Sequence, residues 1–172
     1  MRKIVVVPYD EKWPEMFNAE RFLIKRLLGE VAKDIHHIGS TSVPGLSAKP
    51  VIDILLEVSD INELDQCTPA MVNAGYLARG ENGIAGRRYF IKEGNQRSHQ
   101  VHAFSVGDRQ ILRHLAFRDY LRKHTDIAMA YAEVKRTAQL LYKNDAQGYS
   151  AFKTPFIEHH LQLALNGLND RY

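Results

Sequence analysis

The chain has 172 residues, 45% of them hydrophobic and 25% charged, with a formal net charge of +3. These proportions exclude collagen-like, disordered and disulfide-stapled classes, and a chain of this size buries roughly 70% of its unfolded surface. One cysteine, Cys67, allows neither an internal disulfide nor a Cys-based metal site. No run reaches the ~18 apolar residues of a membrane span. The Met-Arg-Lys start followed by Ile4 to Val7 is too short for a signal peptide. A soluble, cytoplasmic protein with no membrane partner is expected.

In chain order, residues 4–8 suit a short strand or a covering segment. Pro14 fits the first turn of a helix over about 14–30, where Phe17, Phe22, Leu23, Ile24, Leu27, Leu28 and Val31 recur at steps of three and four. Residues 34–38 read as a strand ending at Gly39, and 40–48 as a turn-rich loop. Residues 50–58 are a nearly continuous apolar run, the mark of a central strand covered on both faces. A helix over 60–73 is closed by Gly75. Strands at about 86–92 and 97–106 then form a hairpin through Glu93-Gly94-Asn95. The remainder is helical. One helix covers 109–123. The next is capped by Thr125, with a stripe of Ile127, Ala130, Tyr131, Val134, Ala138 and Leu141. The last, over about 148–166, carries Tyr149, Phe152, Phe156, Ile157, Leu161 and Ala164. This order predicts an α+β fold, a mixed sheet with a helical C-terminal half, rather than a Rossmann alternation. One domain over 1–172 is expected, with an α/β core at 1–106 and a helical part at 107–172.

The chemistry concentrates between His36 and Glu57. Gly39 lets the backbone approach a ligand closely. Ser40, Thr41 and Ser42 offer N–H groups and hydroxyls to an anion, and Lys49 adds a charge at the far end of the loop. Asp53 stands among Ile52, Ile54 and Leu56, where a carboxylate needs a metal, a base or good hydrogen bonds. The alternative is an Asp that simply accepts backbone hydrogen bonds from the loop. Of the histidines, one of His36-His37 must face the sheet interior beside the loop, where it would orient the loop or Asp53. His99 and His102, three apart on a strand, point to opposite faces and cannot share a metal. The adjacent His159-His160 on a helix are poor joint ligands. Cys67 falls inside a predicted helix with no base nearby in sequence, and Gly39 to Gly45 lacks the Gly-Lys-Ser/Thr of a Walker A loop.

The run GSTSVPGLSAKPVIDI, with HAF at 102–104, HLAFRDYLR at 114–122 and YSAFKTPFI at 149–157, resembles the GrpB family from Tyr9 to Ile157. That family is similar to the polymerase-β type of nucleotidyltransferase, so the resemblance implies a nucleotidyltransferase-like mixed sheet. It also implies a link to dephospho-coenzyme-A kinase, to which family members are sometimes fused. The superfold's pattern, a hydrophobic residue and Gly-Ser ending one strand and acids on the next, is matched by Ile38-Gly39-Ser40 and Asp53. Twelve residues separate Ser40 from Asp53. In active relatives, two or three carboxylates hold two metals across the nucleotide phosphates. Here the second acid's place falls on Leu55. Glu57 lies on the face of Asp53 but ~13 Å along the strand, too far to share metals ~3.5–4 Å apart. His102 stands where the third acid would be. The resemblance therefore implies Asp53 and His102 as the catalytic and metal-holding pair, for one Mg²⁺ or Mn²⁺ ion with water and substrate oxygens.

The helical half supplies cations. His114, Arg118 and Arg122 follow at steps of four along one helix, and the resemblance singles out Arg118 through Phe117-Arg118-Asp119-Tyr120. Lys153 stands in an apolar stripe, so its ammonium must snorkel out or meet an anion; Lys135 is the weaker case. The nucleotide or phosphate site is thus expected at Gly39, Ser40, Thr41, Ser42, Lys49, Arg88, Arg118 and Lys153, acting with Asp53 in nucleotidyl transfer. One alternative is an inactive module binding a nucleotide or coenzyme-A-like ligand. A second is an RNA-binding accessory domain, which a 9% aromatic content and scattered bases support least.

Overall fold

The computed structural model describes residues 3 to 92 and 97 to 169. Strands β1 (Ala32–Ile38), β2 (Ile52–Val58), β3 (Tyr76–Ala78), β4 (Arg88–Lys92) and β5 (His99–Ser105) form one sheet in the order β1-β2-β5-β4-β3. The β2–β5 pair is parallel, and the other three pairs are antiparallel. Helices α1 (Trp13–Leu28), α2 (Ile61–Gln66) and α3 (Thr68–Asn73) belong to the first half; α4 (Arg109–Lys123), α5 (Thr125–Leu141) and α6 (Ala146–Asn169) make the second.

The two-residue period of β2 decides what each face holds. Ile52, Ile54, Leu56 and Val58 point down into a core with Trp13, Ile24 and Leu28 of α1 and with Leu64, Met71, Phe90 and Val101. Leu55 points up, joining Ile38, Phe104 and Ile111 under α4. The strand is covered on both faces, as its apolar run predicts. A third cluster, Val43 and Leu46 with Leu121, Ala128, Tyr131 and Ala132, fastens the β1–β2 loop to the helical half. The expected mixed sheet with a helical C-terminal half is the architecture observed.

Several local expectations are corrected. The N-terminal segment makes a single bridge, Val7 to Ala48, and is a covering strip whose Ile4 is buried against Ala138 and Tyr149. The helix expected over 60–73 breaks at Cys67, because Pro69 has no N–H to continue the ladder and restarts it as α3. Phe22, Phe152 and Leu141, counted in apolar stripes, are exposed. His124 takes the cap position expected for Thr125. Strand β3 was not expected; two of its three residues are exposed, so it carries no apolar alternation. The 93–95 turn lies outside the described residues, while the strands flanking it pair as a hairpin.

One buried acid ties α1 to the lower face. Glu20 accepts from the Tyr76 hydroxyl at 2.5 Å and from Lys92 Nζ at 2.9 Å, with His99 Nε2 at 3.8 Å. Burial pushes the Glu20 carboxyl up, but the Tyr76 and Lys92 bonds outweigh it and leave the group below its ordinary value. A carboxyl lowered in the folded state stabilises above its unfolded pKa, and that contribution fades as pH falls. Glu20→Gln is expected to cost about 1–3 kcal/mol at pH 7 in urea denaturation. The gap to the parent should narrow as pH drops below 4.5, the group's ordinary value.

Candidate functional site

At the end of β1 the chain bends at Gly39, whose φ of 73° lies in the left-handed region, and enters a 3₁₀ turn over Ser40–Ser42. Ile38 and Asp53 are register partners, which brings the bend onto the carboxylate. A Cβ at position 39 would stand 2.6 Å from Asp53 Oδ2, so no side chain fits. The Ser42 hydroxyl donates to the Gly39 carbonyl at 2.5 Å. His37 Nε2 lies 2.9 Å from Thr41 Oγ1, and the His37 ring stacks on Phe17 at 4.8 Å. Burial pulls His37 down to about 4, so it is a neutral orienter of the loop. The Thr41 and Ser42 hydroxyls are therefore engaged within the loop, and Ser42 lines neither of the cavities described below, a correction to its expected phosphate role. Ser40 lines both and hydrogen-bonds Tyr131.

Asp53 is part-exposed, its side chain 29% accessible, on the upper face of β2. His102 sits beside it, with Nε2 3.2 Å from Asp53 Oδ1, while His99 points down to Glu20. The other ring nitrogen of His102, Nδ1, lies 3.4 Å from Arg87 Nη1. Arginine only donates, so Nδ1 accepts and Nε2 carries the proton it gives to Asp53. His102 is thereby a positioning residue for Asp53. In this arrangement the Nδ1 lone pair of His102 faces Arg87. Arg87 is itself fixed by the Glu81 and Asn82 carbonyls at 3.0 and 2.7 Å and lies over the Tyr89 ring. His114 closes the group from α4, its ring 5.6 Å from that of His102; burial, then the neighbouring His102, pull it down to about 4.

Beyond Asp53 the cations gather. A hollow of about 280 Å³ is lined by Ser40, Lys49, Asp53, Lys135, Tyr149 and Lys153, among others. Lys49 and Lys153 place their ammonium groups 4.9 and 4.5 Å from the centre of the Tyr149 ring. Lys135 lies over Tyr131 and donates to the Ser47 carbonyl. Burial, reinforced by neighbouring lysines, pulls Lys135 down to about 7 and Lys153 to about 8. The Tyr149 hydroxyl is buried with no hydrogen-bond partner among the described residues. A larger cleft of about 580 Å³ shares Gly39, Ser40, Asp53 and Lys153, and adds His102, His114, Phe117 and Arg118.

Gly39, Ser40, Thr41, Lys49, Asp53 and Lys153 all line the smaller hollow. Arg118 reaches the cleft but gives Nη1 to the His37 carbonyl at 3.2 Å and Nε to Asp119. Arg88 is a correction. It lies on the lower face, paired with Asp65 through Nε at 2.7 Å and Nη2 at 3.1 Å. Arg87 is the arginine that serves the site. The signal was available, since Tyr89 pairs with His102 and residues two apart share a face. Tyr131 and Tyr149 gave no signal beyond that of ordinary core aromatics.

The family described as GrpB protein matches residues 3–163 of this sequence. The chain belongs to the GrpB family. The crystal structure of the conserved protein GrpB from Enterococcus faecalis superposes with a TM-score of 0.92 at 38% identity, over 95% of this chain and 99% of that one. The protein YqkA of Bacillus subtilis is 45% identical over 157 residues, 91% of this chain but 46% of YqkA, so the chain spans less than half of that relative. A dephospho-CoA kinase of Mycolicibacterium paratuberculosis is 28% identical over 178 residues, 88% of this chain and 43% of the kinase. With Gly-Ser closing β1, an acid on antiparallel β2 and β5 parallel beside it, the GrpB fold here is the mixed α+β sheet with a helical C-terminal half that the sequence predicts.

Two predictions follow from the close packing of this GrpB site. Gly39→Ala should destabilise by about 1–3 kcal/mol in thermal or urea melts, from the left-handed backbone and the displaced carboxylate. His114 is lowered on folding, so between about 4 and its ordinary 6.5 the unfolded chain holds the extra proton and stability falls with falling pH. His114→Gln should flatten the pH dependence of denaturation in that window.

Proposed function

We propose that this chain is a nucleotidyltransferase-like protein that binds a nucleotide or other phosphate-bearing ligand at the Gly39-Ser40 bend beside Asp53. The observation that carries this reading is the convergence of Lys49, Lys135 and Lys153 on a hollow whose other wall is Ser40 and Asp53. The partly desolvated Lys135 and Lys153 ammonium groups and a Tyr149 hydroxyl with no hydrogen-bond partner among the described residues are a polyphosphate's complement, because an entering anion offsets the cost of burying those two charges. The hollow takes residues from both 1–106 and 107–172, which supports reading the two parts as one domain.

In transfer, an acceptor oxygen would form a bond to the α-phosphorus while the α–β phosphoanhydride bond breaks and pyrophosphate departs. The lysines neutralise the charge developing on the departing phosphates, and Arg87 through His102 holds Asp53 in place. The donor set fits one divalent ion and not two. Asp53 supplies one carboxylate, Leu55 is fully buried where the second would be, and both nitrogens of His102 are engaged. Mg²⁺ or Mn²⁺ fits such a site through Asp53, phosphate oxygens and water, and when bound would polarise the phosphates.

Leu55 also favours a second reading, binding without turnover, with a nucleotide or coenzyme-A-like phosphate as ligand. The similarity to a dephospho-CoA kinase supports that ligand class. The test is calorimetric titration with the four nucleoside triphosphates and coenzyme A, with and without Mn²⁺, followed by turnover of α-labelled nucleotides. Asp53→Asn is expected to abolish transfer and keep the fold; turnover unchanged in that variant sinks the transferase reading. Binding without product selects the second reading, and RNA affinity with a steep salt slope would bring the RNA-binding alternative forward.

Lys153→Met is expected to weaken triphosphate binding roughly 10- to 100-fold, the worth of a hydrogen bond to a charged group. Because Lys135 and Lys153 titrate near 7 and 8, triphosphate affinity should fall as pH rises from 7 to 9, with proton uptake on binding. Titration in buffers of different ionisation enthalpy measures that uptake.

A further inference from the structure

At the other end of β1 and β2 a second group of donors converges, outside the site already described. Asp34 and Glu57 are direct register partners, and His36 follows Asp34 by two residues, so all three stand on the upper face. One ligand atom from each lies within 4.8 Å of the others. His36 Nε2 is 2.5 Å from Glu57 Oε2 and 3.7 Å from Asp34 Oδ2. The register slips between Ala32 and Asp34, an irregularity of the kind that re-aims a side chain at a sheet edge. Asp34 Oδ1 accepts from the Ile35 N–H at 3.0 Å, which leaves Oδ2 turned toward the ring.

Two carboxylates directly opposite one another across a strand pair repel. A proton on His36 Nε2 answers Glu57 at 2.5 Å and leaves Asp34 with the longer contact of 3.7 Å. A divalent ion in that proton's place answers both. Around a tetrahedral ion with bonds of ~2.0–2.1 Å, ligand atoms stand ~3.3 Å apart. The 3.7 Å pair is close to this already, and the 2.5 Å pair must open by less than the reach of a Glu side-chain rotation. An imidazole nitrogen with two carboxylate oxygens suits a first-row ion such as Zn²⁺ rather than Mg²⁺ or Ca²⁺. The half-exposed setting leaves the remaining positions to water.

We propose that Asp34, His36 and Glu57 form a Zn²⁺-class metal site, independent of Asp53, which lies ~13 Å away along β2. The metal joins the outer strand β1 to β2 and presents water-bearing positions at the edge of the sheet.

The test uses the full chain and Zn²⁺ alone, in equilibrium dialysis with metal counted by mass spectrometry. The parent and Asp53→Asn should each retain one ion. Asp34→Asn, at a side chain 63% accessible and so tolerant of change, and His36→Gln should each weaken retention at least tenfold. Thermal melts of the metal-free proteins confirm that the variants fold. With Co²⁺ as the probe, the visible absorption of a nitrogen-ligated ion should appear in the parent and be lost in His36→Gln. No retention by the parent overturns the proposal. So does retention that survives Asp34→Asn and His36→Gln, or that is lost in Asp53→Asn alone. Failure of nucleotide binding at the lysine hollow leaves this measurement unaffected.

Discussion

The contact on which the molecule turns is that of a backbone bend with a carboxylate. Gly39 has left-handed geometry and Asp53 Oδ2 occupies the space its side chain would fill. That contact exists because β1 and β2 pair with Ile38 opposite Asp53. Strand side chains alternate with a period of two, so a slip of one residue would drive Asp53 into the lower core and lift Ile52 and Ile54 to the surface. Burying those two residues fully is thus what aims the acid. The hydrophobic packing of the sheet and the exposure of Asp53 are a single constraint.

The helical half is held to this bend through cations on carbonyl oxygens. Arg118 donates to the carbonyl of His37, Arg122 to that of Ser42, and Lys135 to that of Ser47. Bonds from a charged donor are roughly twice as strong as neutral ones. They act together with the Val43 and Leu46 cluster beneath α4 and α5. Docking the helices in this way also desolvates the lysines they carry. Lys135 and Lys153 are both lowered by burial first and by neighbouring lysines second. The interaction that closes the structure therefore also gives the hollow its demand for an anion, and in a low-dielectric pocket that demand is strong.

The strands that matter were legible because their patterns are local. The apolar run of 50–58 and the Gly-Ser bend marked where Asp53 would stand, and period-two alternation separated His99 from His102, which the structure places on opposite faces. Arg88 was expected among the site's cations, but it pairs with Asp65 below the sheet while Arg87 enters the site above. The break at Cys67 was visible in Pro69 but was hidden by an apolar pattern that continues through it. The convergence of Lys49, Lys135 and Lys153 is written nowhere in sequence spacing. Those residues come from a loop and two helices, and their meeting depends on how α5 packs against α6 and on the Tyr131 and Tyr149 rings beneath their ammonium groups. The tautomer of His102 was likewise out of reach, since it depends on Arg87 arriving from a separate turn.

Charge balance distinguishes this site from a two-metal centre. Two or three carboxylates around a reacting phosphate need metal cations before an anion can approach at all. Here one carboxylate faces three lysines, and Leu55, fully buried, removes the second acid without leaving a gap. The positive charge that metals would import is built into side chains. Arg87 extends the same substitution. It stands behind His102 and sets the proton on the nitrogen that faces Asp53, so the ring supports the acid instead of competing for a metal. Such a pocket attracts phosphate by its own charge. On the proposed function, a single ion at Asp53 would adjust the chemistry of a phosphate ligand drawn in by the lysines.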